Sequence, residues 1–139
     1  MPWLVALALL LWIPAGASAQ AHCYEYGAPE IELEGTLLQR VAPGPPNYQD
    51  INSGDRPDTI WVLRLRQPIC LRADSLGEKH SGITQVQLEV PEEDRRTMRL
   101  NMDRRTVFRG TLRPSVAGRR QFPVVFWSRL FMVDVRDPE

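Results

Sequence analysis

Two histidines, two cysteines and one lysine, Lys79, occur in 139 residues, and each scarcity removes a class of chemistry. His22 and His80 are isolated from each other, each in a stretch expected to be flexible, so they supply neither a metal site nor a Ser-His-Asp constellation. The G-x-S-x-G elbow, the phosphate-cradling P-loop and the H-E-x-x-H zinc motif are all absent, so no catalytic, metal or cofactor residue is assigned. Formal charge is zero, 17 basic against 17 acidic side chains, which denies the positive field that non-specific nucleic-acid binding requires. Cys23 and Cys70 lack the C-x-x-C spacing of redox and zinc sites.

Long apolar runs are equally scarce. The one such run, Trp3 to Ile13, is too short to span a bilayer comfortably, and Pro14 breaks it before the small residues Ala15 to Ala19. No ionisable side chain occurs before Gln20. Residues 1–19 therefore read as a secretory signal peptide, cleaved after Ala19 with Ala21 as the second choice, leaving residues 20–139 as one domain without a transmembrane segment. A lipoprotein anchor is not expected, because Cys23 follows His22 rather than a small residue. Export to the periplasm or beyond makes a Cys23–Cys70 disulfide the default for an even pair, contributing about 4 kcal/mol in the chain-entropy model.

Period-two alternation dominates the rest of the chain. Ile31, Leu33, Gly35, Leu37 and Val41 share one parity, with Glu32, Glu34, Thr36 and Arg40 on the other. A glycine inside such a strand marks a bend or a close backbone approach, and Gly110 in Phe108–Leu112 echoes Gly35 in Leu33–Leu37. Thr59–Leu71 places Trp61, Leu63 and Leu65 opposite Arg64 and Arg66, until Pro68 interrupts the ladder. Ile83–Val90 sets Thr84, Val86, Leu88 and Val90 against Gln85, Gln87 and Glu89. Pro91 and the acidic Glu92, Glu93 and Asp94 predict a short helix toward Met102, although Met98, Leu100 and Met102 also fit a strand. Thr106–Ser115 and the apolar Phe122–Val135 complete the strands.

Three strands, a helix and two strands predict a mainly β fold: an OB-fold-like five-stranded Greek-key barrel with one short helix between strands three and four. Pairing of the first and fourth strands would lay the two Gly-Thr-Leu segments side by side. An open β-sandwich is the rival. The stretch PGPPNYQDINSGDRPDTIWVLRLRQPIC, Pro43 to Cys70, resembles a family of small secreted bacterial proteins classified as a domain of unknown function, and the likeness extends through QLEVPEE, RGTL and PVVF. The resemblance implies an exported bacterial domain and assigns no activity. Family members often carry histidines in the last hairpin loop, where this chain has Arg119, Arg120 and Gln121, which puts a metal site there in doubt.

In such a barrel the loops after the first and fourth strands flank the ligand face. Here they are residues 42–58 and 114–121. Pro43, Pro45 and Pro46 stiffen the first loop and reduce the entropy lost on binding, while Asn47 and Tyr48 offer hydrogen bonds and a flat ring. The plainer reading is a stiff loop with Tyr48 packed over the barrel end. Asp50, Asn52, Asp55 and Asp58 crowd one loop, but Gly54, Asp55 and Trp61 occupy the places where an EF-hand needs oxygen, glycine and glutamate, so Asx-turns and a solvated turn at Asp55–Arg56 explain them better. Arg64, Arg66 and Glu89 resemble the carboxylate and arginine set of secreted OB-fold nucleases, yet as outward residues they are expected to form cross-strand pairs. Of the aromatics Trp61, Phe108, Phe126, Trp127 and Phe131, Trp127 is the one expected at the surface.

The ligand-binding residues so assigned are Asn47, Tyr48, Asp50, Arg56, Arg119 and Arg120. The reading is a non-catalytic exported binding module for an envelope protein, a glycan or a small ligand, with no oligomeric state implied. The alternatives are a metal-dependent hydrolase of the OB-fold nuclease type and an inhibitor of a foreign enzyme such as a lysozyme.

Overall fold

Alternation of apolar and polar side chains becomes alternation of inside and outside once the strands pair. The computed structural model describes residues 22–116 and 122–133; residues 1–19, read above as a signal peptide, and Arg119 and Arg120 lie outside them. The strands are β1 (His22–Tyr24), β2 (Ile31–Pro43), β3 (Pro57–Leu71), β4 (His80–Glu89), β5 (Arg105–Pro114) and β6 (Val124–Val133), with helix α1 (Glu92–Leu100) between β4 and β5. β2 pairs antiparallel with β3 and β5, β3 antiparallel with β4, β5 antiparallel with β6, and β4 parallel with β6. That circuit closes, giving the five-stranded OB-fold-like barrel rather than a sandwich.

The barrel interior is filled from every strand. Leu37, Leu63, Val86, Phe108, Leu112 and Phe126 are fully enclosed, and Trp61 joins them at 7% exposure. Met98 from α1 enters the same core, whereas Leu100 is 75% exposed. This difference resolves the ambiguous segment: Met98 and Leu100 point in different directions, as helical spacing dictates and a strand would forbid. Three acidic residues occupy the first turn of α1 and Arg99 the last, matching the dipole. Asp94 accepts from the Leu130 N–H at 3.1 Å and Glu93 from Arg129 at 2.6 Å, tying the helix to β6.

Gly35 and Gly110 are both sites of close approach. A Cβ at Gly35 would collide with the Arg64 carbonyl oxygen, and one at Gly110 with the Trp127 carbonyl oxygen. Gly35 lies opposite Thr106 and Gly110 opposite Ile31, so the two Gly-Thr-Leu segments sit in paired strands but run antiparallel and offset, not side by side.

Two local expectations are corrected. Between the pairs Arg64–Gln85 and Ile69–Ile83, β3 advances from 64 to 69 while β4 moves only from 85 to 83. The extra residues include exposed Pro68; β3 keeps its parity through Ile69 and Leu71, and the change of parity lies within β4, where Ile83 is buried and Thr84 exposed, although Val86 and Leu88 face inward as predicted. β1, the other departure, runs parallel to the end of β3 with Cys23 opposite Cys70, and their Cα atoms, 4.4 Å apart, carry the disulfide.

Because backbone must move to admit a methyl group at either glycine, Gly35→Ala and Gly110→Ala are each expected to lower stability by about 1–3 kcal/mol in urea unfolding. Thr84→Ala, at an exposed position, should stay within about 0.5 kcal/mol.

Candidate functional site

The proline-rich connection between β2 and β3 is organised by one carboxylate. Asp55, 4% exposed, accepts from the Asn47 N–H at 2.8 Å through Oδ1, and from the Gln49 and Asp50 N–H groups at 2.7 and 2.9 Å through Oδ2. The sequence-based solvated turn at Asp55–Arg56 is therefore wrong for Asp55: three inward-turned amides enclose it. These donors, led by Gln49, hold its carboxyl below the ordinary aspartate value, against the opposing effect of burial. Gly44 and Arg56 then bracket the loop, Gly44 N–H to Arg56 carbonyl at 2.7 Å and Arg56 N–H to Pro45 carbonyl at 2.9 Å.

Loop rigidity fixes Tyr48. Its N–H donates to the Gly44 carbonyl at 3.0 Å and its φ is 58°, a left-handed conformation sustained by the surrounding bonds. The half-buried side chain lines a hollow of about 210 Å³ with Ile60, Trp61, Gln87, Glu89 and Arg95. Asp50 serves differently: its carboxylate accepts from Asn52 N–H at 2.9 Å and Ser53 Oγ at 2.8 Å, capping the short 3-10 turn Ile51–Ser53. Asn47 and Arg56 lie at the exposed loop surface.

Trp127 provides the second element. It is 52% exposed, as its parity predicts, while Phe108 and Phe126 are enclosed. The Arg113 guanidinium carbon lies 4.3 Å from the indole centroid, a cation–π contact between diagonal neighbours on the outer faces of β5 and β6. Trp127 borders two further hollows. One, of about 580 Å³, is shared with Leu76, Gln87, Glu89, Arg113 and Val116; the other, of about 700 Å³, with Glu89, Val90, Arg109 and Arg129. Glu89 borders all three hollows, and its Oε1 accepts from Gln87 Nε2 at 3.4 Å. The parallel pairing of β4 with β6 sets Glu89 beside Trp127 and Gln87 beside Val125.

The candidate site is thus an outer face running from Tyr48, over Gln87 and Glu89, to Trp127 and Arg113. Of the loop residues assigned from sequence, Tyr48 reaches it. Arg113 and Gln87 were missed, and Glu89 was considered only as part of a nuclease-like set. Outward parity was the available signal, but parity does not reveal which strands adjoin. Arg66 pairs with Glu34 at 3.7 Å, so its cross-strand partner is on β2 and not Glu89. Comparison with protein-family models, curated proteins and solved structures finds no match.

Asp55→Asn should lower the thermal midpoint at neutral pH, since an amide presents only one acceptor oxygen to three N–H donors. A depressed carboxyl pKa makes its contribution complete above the ordinary aspartate pKa and lost as the pH falls through the lowered value. Melts followed by circular dichroism across the acid range should accordingly show a smaller loss on acidification for Asp55→Asn than for the native protein.

Proposed function

We propose that the chain is an exported, non-catalytic binding module whose ligand lies across the outer face between Tyr48 and Trp127. The observation that carries this reading is the half-exposed Trp127 held against Arg113 where hollows meet at Glu89. An indole left at the surface of a barrel that encloses its other core aromatics has forgone burial, and a ligand that covers it recovers that stabilisation. Two more features support the reading. The Asp55-centred loop presents Tyr48 in one conformation, which reduces the ordering cost of association. The Cys23–Cys70 disulfide suits an oxidising compartment, and among the described residues no helix is long and apolar enough to cross a membrane.

Of the ligand classes considered, a glycan fits this face best. A flat indole stacks on the apolar face of a sugar ring, and exposed Glu89 and Arg113 supply the acceptors and donors that fix its hydroxyls. In the envelope this ligand is a peptidoglycan-type glycan.

Titration of the purified protein with soluble peptidoglycan fragments, followed through tryptophan emission, tests the proposal. Trp61 is buried and Trp127 is not, so binding should perturb the solvent-exposed component. Trp127→Ala should weaken binding about tenfold or more, measured by calorimetry, as for a central aromatic contact. Unchanged affinity in that variant would remove the site, and cleavage of the recovered fragments would overturn the non-catalytic assignment.

A further inference from the structure

The hollow beside Tyr48 brings together charges that do not neutralise one another. It lies where β3 begins and β4 ends, and about 210 Å³ is bordered by Asp58 and Trp61 from the first strand, Leu88 and Glu89 from the second, Tyr48 from the Asp55-centred loop and Arg95 from α1. Trp61 pairs with Leu88 across the two strands, and both are buried, so they supply an apolar wall. The charged groups around it are two carboxylates, Asp58 and Glu89, and one guanidinium, Arg95.

Arg95 is only partly satisfied. Its Nη1 donates to Glu92 at 2.6 Å, one turn back along α1, and its Nε is enclosed with no hydrogen-bond partner. That pairing restrains the guanidinium and, among the described residues, leaves open the Nε–Nη2 edge, on which two N–H groups lie parallel. A buried donor without an acceptor is costly, and Arg95 Nε is the one such side-chain atom among the described residues. Asp58 and Glu89 form no ion pair among those residues, and the Glu89 carboxylate accepts from Gln87 Nε2 at 3.4 Å.

We propose that this hollow binds a free basic α-amino acid. Opposite charges that border one hollow without pairing are satisfied together by a third body carrying both signs. The carboxylate of an α-amino acid accepts the two parallel N–H groups of Arg95, and its ammonium group is a donor for Asp58 and Glu89. A simple anion meets two repelling carboxylates, and a simple amine leaves Arg95 Nε without an acceptor, so neither matches the whole lining. Two carboxylates against one guanidinium call for two amines against one carboxylate, which selects a side chain with an amine of its own. Tyr48, held in one backbone conformation, and buried Trp61 provide apolar surface for the aliphatic part. Trp127 does not border this hollow, so this site and the glycan face stand or fall separately.

Titration of the purified labelled protein with L-lysine, followed in proton–nitrogen correlation spectra, tests the site. The arginine Nε–H signal that disappears in Arg95→Lys identifies Arg95, and that signal should shift saturably as lysine is added. Lysinamide, which lacks the carboxylate, and norleucine, which lacks the side-chain amine, should each bind about tenfold more weakly than lysine, and Arg95→Gln should weaken lysine binding to a similar degree. Arg99→Ala, on the exposed side of the helix, and Trp127→Ala should leave it unchanged. Circular dichroism melts confirm that the variants are folded. The proposal is overturned by the absence of a saturable shift with lysine, by equal affinity for lysinamide or norleucine, or by weakening in Arg99→Ala or Trp127→Ala equal to that in Arg95→Gln.

Discussion

Closing five strands into a barrel forces some backbones nearer to one another than a side chain permits. Gly35 and Gly110 meet that demand, each facing a carbonyl oxygen of the adjoining strand where a Cβ would sit. With those approaches made, β2 can serve both β3 and β5. The enclosed volume is then small enough to be filled by Phe108, Phe126 and the aliphatic residues around them, with Met98 supplied by the helix. The outer rows follow from the same closure, because each residue facing out is placed against its cross-strand neighbour by the register that closure imposes. Trp127 beside Glu89 and Arg64 beside Thr36 are consequences of one geometry.

Much of this architecture was legible because it is local. Alternation identified the five barrel strands, their order around the helix implied the circuit, and the parity of Trp127 separated it from Phe126. Where a competing local effect intervened, the reading slipped. Where the pairing of β3 with β4 becomes irregular, Ile83 takes the place expected of Thr84 in the core, and the regular alternation of Thr84, Val86 and Leu88 gives no sign of that break. β1 is too short to show a period. The tyrosine just after it, Tyr26, is buried and donates its hydroxyl to the Glu78 carbonyl at 2.7 Å, a contact between segments 52 positions apart.

The candidate site was legible in part for the same reason. Tyr48 was recognised by its setting among prolines, yet the agent that holds it is Asp55, whose sequence context suggests an ordinary polar turn. Its role arises when three amides converge in space on one carboxylate. Glu89 is exposed as its parity predicts, whereas Gln87 of the same parity is buried, and the meeting of both with β6 depends on a parallel pairing that spans the helix and β5. Such long-range adjacency is topological information, and it enters only when the barrel is closed.

β1 has a role that the barrel circuit does not reveal. Beyond Gly35–Leu65, β2 no longer accompanies β3, and the edge of β3 at Ile69–Leu71 would be left with unsatisfied amides and carbonyls. β1 occupies that edge, and the covalent bond at its centre prevents it from peeling away. An unguarded strand margin is a template for pairing with another molecule. The bond from Cys23 to Cys70 therefore acts as a lock on a seam, keeping each copy of the chain from offering its margin to the next.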